Sequence, residues 1–318
     1  MFGAINKSKA VPNFAKVLVR AINKNRAAPS FAKVKRQLTK HFVIYCKFEF
    51  SSNRLFALEK LVIIPTYNEK ENIAAIIDAV MGLHQQYHIL IIDDNSPDGT
   101  ANIVKSLFPK YPGQLFLEQR MGKLGLGTAY IHGFKWAIDK GYRFIFEMDA
   151  DFSHSPYDLD RLYDACVAGA GVAVGSRYVR GGAVENWPAN RIALSKGASL
   201  YTRMITWMPV KDPTAGFVCY KREFLESINL DNISFVGYAF QIEMKFAAWK
   251  LGFKITEVPI TFIDRKLGAS KMNKGIVKEG ILGVLKLRWQ SLFKNYRKKV
   301  TNADAVGSLK GELSRSMP

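Results

Sequence analysis

The sequence predicts an α/β fold in which a mostly parallel β-sheet carries helices on both faces. Short, continuous apolar runs alternate along the chain with segments whose apolar residues have helical spacing. This alternation is typical of buried parallel strands that are joined by crossover helices. Polar residues also cluster just after several apolar runs, where parallel strands would end at one edge of the sheet. The fold and the location of a binding site are therefore predicted together.

The predicted strands are short apolar runs that end at a turn or at polar residues. The first is Leu61-Val62-Ile63-Ile64, which ends at Pro65. The others are His88 to Ile92, Leu115 to Leu117, Phe144 to Met148, Gly171 to Val174 and a strand-like segment from Lys254 to Ile263. The predicted helices run from Asn68 as N-cap to Gly82, from Thr100 to Leu107, from Thr128 to Lys140 with Gly141 as C-cap, from Pro156 to Ala168, and near 190–207 and 238–251.

Residues 59–273 form the predicted main domain, and residues 274–299 predict an amphipathic helix with a basic face. Its apolar positions are Ile276, Val277, Ile281, Val284, Leu285, Leu292 and Phe293, and its basic positions are Lys278, Lys286, Arg288, Lys294 and Arg297. Two interpretations are open: the helix packs on the core with a solvated charged side, or it lies on a membrane surface. Residues 300–318 predict a disordered tail.

Positive charge dominates the composition, with 46 Lys and Arg residues against 27 Asp and Glu residues and a formal net charge of +19. Such an excess predicts anionic partners, namely nucleotide phosphates, nucleic acid or an anionic membrane surface. Residues 1–58 contain twelve Lys and Arg residues and one acid, Glu49. This segment predicts a basic, partly disordered N-terminal extension; lipid contact and organellar transit are the alternatives to a simple tail.

The sequence contains no apolar run of the roughly 18 residues that a membrane-spanning helix needs, and no evident secretory signal. Three scattered cysteines without metal-ligand spacing predict thiols in a reducing compartment. We therefore expect a cytoplasmic protein that reaches a membrane, if it does so, from the surface.

The strongest local feature is Asp149-Ala150-Asp151, which follows a predicted buried strand. Carboxylates together with phosphate oxygens are the ligands that Mg²⁺ and Mn²⁺ prefer. At a strand end, one acid can face a nucleotide ribose and the other a metal ion. The alternative is a loop whose acids cap the helix at Pro156.

The run from Arg120 to Thr128 is rich in glycine and precedes a predicted helix. Its glycines allow close backbone approach, and Arg120 and Lys123 can neutralise phosphate. The spacing is neither the dinucleotide G-x-G-x-x-G pattern nor a P-loop, which argues against a dehydrogenase or a kinase.

Further cations lie in polar loops that contain glycine: Arg177, Arg191, Arg265 and Lys271. Each can be a surface cation or a phosphate ligand, because the guanidinium group matches phosphate oxygens and lysine supplies a point charge. The segment Lys211 to Phe217 is interpreted either as a mobile loop that closes over a substrate or as an ordinary turn.

Five motifs together resemble the dolichol-phosphate (polyprenol-phosphate) mannosyltransferases, which are family 2 inverting glycosyltransferases with a GT-A (Rossmann-like) fold. These motifs are Pro65-Thr66-Tyr67-Asn68-Glu69, Asp93-Asp94-x-Ser96-x-Asp98-Gly99-Thr100, Gly122 to Thr128, Met148 to Pro156 and Gly175-Ser176-Arg177-Tyr178. The resemblance covers roughly residues 60–275. It implies GDP-mannose as donor, a polyprenyl phosphate as acceptor, and Mg²⁺ or Mn²⁺.

The resemblance also implies roles for individual residues. Nucleotide binding falls to Pro65, Tyr67, Glu69, Ile92 and Asp94. Asp149, Ala150 and Asp151 would bridge the nucleotide, the sugar phosphate and the metal ion. Asp151 is the main metal ligand that the resemblance implies, with Ser153 beside it. Arg177, Arg191, Arg265 and Lys271 would bind donor and acceptor phosphates. A peripheral position on the cytoplasmic face of a membrane, with or without a small membrane-protein partner, is implied as well.

The chemistry needs no dedicated general base, because a phosphate monoester has a second pKa near ~6 and is already an anionic nucleophile at neutral pH. His154 is therefore expected to be structural. Two alternatives stay open: UDP-glucose as the donor, and a non-catalytic protein that binds nucleotides or nucleic acid. Neither aromatic ribonucleoprotein motifs nor helix-turn-helix spacing occurs, so we expect no nucleic-acid partner.

Overall fold

The computed structural model describes residues 59–237, 239–264 and 274–298, with the backbone alone for 274–279 and 281. The predicted N-terminal extension and C-terminal tail lie outside these residues, as do Arg265 and Lys271. In chain order the strands are β1 (Lys60–Thr66), β2 (His88–Asp93), β3 (Leu115–Gln119), β4 (Phe144–Glu147), β5 (Val172–Ser176), β6 (Ala183–Glu185), β7 (Val218–Lys221), β8 (Ile255–Pro259) and β9 (Thr261–Ile263).

Seven strands form one sheet in the order β3-β2-β1-β4-β7-β5-β8. All neighbours in this sheet are parallel except β7, which runs antiparallel to both β4 and β5. Strands β6 and β9 form a separate parallel pair. The mostly parallel sheet that the sequence predicts is confirmed.

The described helices lie between and after the strands. They are α1 (Ile73–Met81), α2 (Thr100–Ser106), α3 (Leu126–Lys140), α4 (Asp158–Val167), α5 (Ala189–Thr206), α6 (Arg222–Ser227), α7 (Ala239–Lys250) and α8 (Lys274–Gln290), with a 3₁₀ turn at Leu230–Asn232. Within the described residues, none of these helices is long and apolar enough to cross a membrane.

Both faces of the sheet are covered, as the near-continuous apolar runs predict. Leu61 and Ile63 of β1 belong to one buried cluster, while Val62 and Ile64 belong to the other, and all four side chains are fully buried. Because successive side chains in a strand point to opposite faces, this pattern requires a layer of helices on each side.

Strands β6 and β7 and helix α6 were not predicted, and two of the predicted elements differ in extent. The first helix begins at Ile73 rather than at Asn68, because Asn68 has a φ of 58° and its N–H donates to Ser96 Oγ at 3.0 Å. The predicted strand from Lys254 to Ile263 divides after Pro259 into β8 and β9, which belong to different sheets.

Candidate active site

The candidate site lies at the edge of the sheet where β1, β2, β4 and β5 end. Because β7 is antiparallel to β4 and β5, the segment that precedes β7 reaches the same edge. The polar clusters that follow the predicted strands are therefore brought together, and residues 211–217 join them from the opposite chain direction. This edge is where open α/β sheets bind ligands.

Hydrogen bonds connect the end of β1 and its following loop to the end of β2 and its following loop. Pro65 and Ile92 are partners in the strand register, and Thr66 Oγ1 donates to Asp93 Oδ1 at 2.9 Å. The backbone N–H of Glu69 donates to Thr100 Oγ1 at 3.0 Å. The ends of these two strands and the loops after them carry the residues predicted to hold the nucleotide, namely Pro65, Tyr67, Glu69, Ile92 and Asp94.

Asp94 is held by Arg120, which leads into the glycine-rich loop. The Arg120 Nε donates to Asp94 Oδ1 at 2.6 Å, and both side chains are about nine-tenths buried. The same guanidinium donates to Thr128 Oγ1 at 2.8 Å and to the carbonyl of Gly125 at 3.4 Å. Arg120 was predicted to neutralise phosphate, but the structure makes it the link between Asp94 and the glycine-rich loop.

Lys123, in contrast, stands exposed in the glycine-rich loop, with its Nζ 4.9 Å from the centre of the Tyr67 ring. A phosphate near this loop would therefore meet Lys123 before it met Arg120.

The chain turns sharply at the two acids after β4. Phe152 has a φ of 58°, and the N–H of Ser153 donates to Asp151 Oδ1 at 3.1 Å. Asp149 is half-buried, while Asp151 is 8 % exposed and Ser153 is 3 % exposed. The carbonyl of Ser153 also accepts from Ile263 N at 3.2 Å, which fixes this turn to β9.

A divalent metal ion fits this part of the chain only if a ligand completes its shell. Among the described residues, no group of three or more His, Cys, Asp and Glu side chains is arranged to hold a metal ion. Two carboxylates completed by diphosphate oxygens are a common arrangement for Mg²⁺. The donor set of Asp149 and Asp151 fits that arrangement.

His154 is buried between aromatic rings. Its ring stacks on Phe217 at 4.9 Å and meets the edge of Phe262 at 5.4 Å. Burial lowers the pKa of His154 to about 4, so the imidazole is neutral at physiological pH. Its position supports the structural role that the sequence predicts.

Arg177 forms a buried, two-pronged ion pair with Asp212. Its Nε and Nη2 each lie 2.7 Å from a carboxylate oxygen, and its backbone N–H donates to the same group at 3.0 Å. Burial by itself would raise the pKa of Asp212, but the hydrogen bonds and charge of Arg177 outweigh it and lower that pKa. Asp212 and Phe217 are fully buried, which favours the ordinary turn over the mobile loop as the interpretation of residues 211–217.

Arg191 stacks on Trp187, with its guanidinium carbon 3.9 Å from the ring centre, and its Nη1 lies 3.0 Å from Asp264 Oδ2. The guanidinium carbon of Arg177 lies 5.7 Å from the same ring. Two of the four predicted phosphate-binding cations therefore flank one indole. The other two, Arg265 and Lys271, lie outside the described residues.

Sequence reasoning missed the carboxylates that hold the arginines. Asp212 lies 35 positions after Arg177, and Asp264 lies 73 positions after Arg191, so no local pattern connects them. The available signal was the Asp212-Pro213 pair at the start of a tight segment, since such a pair is typical of a turn whose carboxylate is engaged.

Comparison with known proteins identifies the family to which this chain belongs. Residues 61–228 match the model of Glycosyl transferase family 2. The polyprenol monophosphomannose synthase of Mycolicibacterium smegmatis is 47 % identical over 70 % of this chain and 84 % of its own length. The undecaprenyl-phosphate mannosyltransferase of Micrococcus luteus is 43 % identical over 73 % of this chain and 96 % of its own length.

Solved structures show the same fold at low identity. Glucosyl-3-phosphoglycerate synthase from Mycobacterium tuberculosis superposes with a TM-score of 0.56 at 17 % identity, over 73 % of this chain and 80 % of that one. Mannosyl-3-phosphoglycerate synthase from Rubrobacter xylanophilus gives a TM-score of 0.56 at 17 % identity, over 78 % and 80 %. These likenesses confirm the GT-A architecture. The chain belongs to glycosyl transferase family 2 and is a glycosyltransferase.

Proposed function

We propose that this enzyme transfers mannose from GDP-mannose to a polyprenyl (dolichyl) phosphate with inversion, giving polyprenyl-phosphate mannose and GDP. The observation that carries the proposal is the turn at Asp149-Ala150-Asp151, which shares a sheet edge with the arginines that flank Trp187. Its support from relatives is the 47 % identity to a polyprenol monophosphomannose synthase.

In this proposal the two sides of the site have different tasks. The ends of β1 and β2 and the loops that follow them bind the nucleotide through Pro65, Tyr67, Glu69, Ile92 and Asp94. Hydrogen bonds between the two loops, together with the hydrogen bond from Arg120 to Asp94, fix these loops in position before the donor binds. A preformed nucleotide site lowers the entropy that binding must overcome.

Asp149, Ala150 and Asp151 connect the nucleotide side with the sugar phosphate. Asp151, with Asp149 and Ser153 beside it, would hold Mg²⁺ or Mn²⁺ against the diphosphate. When bound, such an ion stabilises the negative charge that builds on the departing diphosphate. The Asp151 carboxylate is already oriented by the Ser153 N–H, so it needs little rearrangement to act as a ligand.

Arg177, Arg191, Arg265 and Lys271 are the proposed phosphate ligands. Arg177 and Arg191 are each fixed by a carboxylate and by an aromatic ring, which places their charge without leaving it uncompensated. The phosphate acceptor is mostly a dianion above pH ~6, so it attacks without a general base. The neutral, buried His154 agrees with this mechanism.

A membrane surface is the proposed location of the reaction. Large apolar side chains are exposed on α5 and on the end of α8 with the turn that follows, namely Leu194, Leu200, Met204, Trp207, Leu285, Trp289, Leu292 and Phe293. We call this the apolar surface. The guanidinium of Arg288 lies 4.8 Å from the Trp207 ring centre and joins the two helices. Apolar side chains beside cations are typical of proteins that lie on anionic lipid.

Helix α8 has one buried face and one exposed face. Val284 and Leu287 are buried in the core, whereas Trp289 is 69 % exposed. We propose that the exposed face contacts the cytoplasmic leaflet, directly or through a small membrane-protein partner. The division into a catalytic domain at 59–273, a surface helix at 274–299 and two terminal segments is part of this proposal.

The decisive experiment follows a radiolabelled sugar into lipid. The full chain is incubated with Mg²⁺ or Mn²⁺, polyprenyl phosphate and labelled GDP-mannose, with labelled UDP-glucose in a parallel reaction. We expect lipid labelling from GDP-mannose and loss of labelling in Asp151→Ala. Labelling from UDP-glucose alone would make the enzyme a glucosyltransferase. Labelling from neither donor would overturn both donor assignments.

A further inference from the structure

A layer of buried polar side chains lies beneath the candidate site. It consists of Glu147 in β4 together with Gln241 and Lys245 in α7. The Glu147 and Lys245 side chains are fully buried, and Gln241 is 3 % exposed. Helix α7 is buried on every side from Ala239 to Ala248, so these polar groups lie away from solvent.

The three side chains are joined by short hydrogen bonds. Gln241 Nε2 donates to Glu147 Oε2 at 2.8 Å, and Lys245 Nζ donates to Gln241 Oε1 at 3.1 Å. The shortest hydrogen bond of Lys245 is to a residue outside this layer. Its Nζ donates to the carbonyl of Ala215 at 2.7 Å. This bond attaches α7 to the segment that precedes β7.

That segment carries the partner of Arg177. Asp212 lies three residues before Ala215, and its N–H donates to Glu257 Oε1 at 2.9 Å. The Asp212 carboxylate then receives the Arg177 fork at 2.7 Å. A continuous path of bonds therefore runs from Lys245 through Ala215 and Asp212 to the guanidinium at the edge of the site.

Burial of an ammonium group costs free energy, because the charge loses its hydration. Replacing a buried ion pair with apolar side chains of similar volume is often neutral or stabilising. Lys245 and Glu147 together could therefore be replaced by apolar side chains of similar volume if packing were their only task. What the ammonium provides, and a methionine cannot, is a donor directed at the Ala215 carbonyl.

We propose that Lys245 is a positioning residue for the transfer reaction. The hydrogen bond from its Nζ to the Ala215 carbonyl fixes the backbone of residues 212–216. Asp212 then keeps the Arg177 guanidinium in the orientation that phosphate binding requires. This inference rests on the proposed function, in which Arg177 binds phosphate. A misplacement of about 1 Å at a reacting group can reduce turnover about a hundredfold, so a support one layer deeper can matter.

The test separates positioning from stability by removing the buried charges singly and together. Lys245→Met leaves Glu147 without its nearby cation, so both the melting temperature and kcat/KM fall. Glu147→Gln keeps an acceptor for Gln241 and keeps Lys245 on Ala215, so its kcat/KM falls far less. The double variant Lys245→Met with Glu147→Gln removes both buried ionisable groups, so the melting temperature recovers towards that of the wild-type enzyme.

We expect the double variant to remain defective. Its kcat/KM for polyprenyl phosphate stays at least about tenfold below that of the wild type, because nothing holds the Ala215 carbonyl. Its Kd for GDP rises by a smaller factor than kcat/KM falls, since the loops around Asp94, which carry most of the proposed nucleotide ligands, are not connected to this layer by the bonds described. Recovery of kcat/KM together with the melting temperature would show that Lys245 is merely structural and would overturn the inference.

Amide hydrogen exchange gives a reading that does not depend on activity. In the double variant we expect amides in 212–217 to exchange at least tenfold faster, with amides in 94–100 unchanged. If the wild-type enzyme labels no lipid, the proposed function fails, and exchange still decides the role of Lys245. Unchanged exchange in 212–217 would refute it.

Discussion

Lys294 Nζ lies 2.6 Å from Oε1 of the fully buried Glu243. The other oxygen of Glu243 accepts from the backbone N–H groups of Ser234 and Phe235 at 2.8 and 3.1 Å. One residue further, the carbonyl of Val236 accepts from Gly127 N at 2.8 Å. The C-terminal turn is thereby connected to the first residues of α3, next to the glycine-rich loop.

Substitution of Lys294 by Met leaves the buried Glu243 carboxylate without its cation. We expect Lys294→Met to lower the free energy of unfolding by roughly 3 kcal/mol, because removal of one partner of a buried ion pair exposes the desolvation penalty of the other. Urea denaturation measures it. Lys110→Met is the control, since Lys110 and Asp78 form an exposed pair. Equal effects of the two substitutions would contradict the account.

Arg120 organises the nucleotide side through three separate hydrogen bonds, which only a guanidinium can make together. We expect Arg120→Lys to weaken GDP binding about tenfold, because a lysine cannot hold Asp94 and the glycine-rich loop at once. Isothermal titration calorimetry measures the Kd. Arg143→Lys is the matched control, since the Arg143 side chain is half exposed and its Nη1 lies 3.7 Å from Glu59. An unchanged Kd in Arg120→Lys would mean that Asp94 does not bind the nucleotide.

Gly127 begins a helix where no side chain fits. A Cβ at this position would lie 2.8 Å from the Phe240 ring and 2.9 Å from the Phe235 carbonyl. We expect Gly127→Ala to destabilise the protein by about 1–3 kcal/mol, because the strain of overpacking exceeds the gain in helix propensity. Thermal denaturation measures it.

The control for Gly127 is Gly197 in α5, where an added Cβ meets no atom within 4 Å. There only helix propensity acts, so Gly197→Ala is expected to raise stability by up to about 1 kcal/mol. Destabilisation by both substitutions would show that the space around Gly127 is not the cause.

The sequence predicts much of this fold because buried parallel strands have a strong apolar signal. Strand β7 escaped prediction, because Val218–Lys221 has four residues and no periodicity to detect. The acids after β4 were found because they end a strand. The carboxylates that pair with Arg177 and Arg191 were not predicted, because ion pairs between residues distant in sequence depend on tertiary contacts. Helix α7 did carry a signal: Gln241 and Lys245 stand among apolar residues with no polar face, so they must be satisfied inside.

Membrane contact depends on the aromatic residues of the apolar surface. We expect the double substitution Trp289→Ser and Phe293→Ser to reduce binding to vesicles with anionic lipid about tenfold or more. The reason is that two large apolar side chains are no longer transferred from water into the membrane. Vesicle co-sedimentation measures the bound fraction. Phe108→Ser, an exposed aromatic residue at the end of α2, is the control. If wild-type protein does not bind vesicles, the apolar surface is left for a protein partner.

His88 makes stability depend on pH. Burial lowers the pKa of His88, whose Nδ1 lies 2.7 Å from the Tyr142 hydroxyl. The unfolded chain therefore takes up a proton near pH ~6.5 that the folded chain resists, so this contribution is present above that pH and declines as the pH falls.

We expect the free energy of unfolding to fall less steeply between pH 7 and 5 in His88→Gln than in the wild type. Urea denaturation at several pH values measures the slope. A wild-type slope in His88→Gln would show that His88 does not resist protonation in the fold.

The reversed strand β7 also sets an order of events on the ribosome. It pairs with β4 and β5 but follows both in the chain, so each waits with an unpaired edge until residues 218–221 have been made. Roughly 40 residues separate β5 from β7, and translation at about 5–20 residues per second takes roughly 2 to 8 seconds to cross them. Unpaired edges invite pairing with other chains. Asp212 emerges in the same interval, so Arg177 acquires its partner only as the sheet closes.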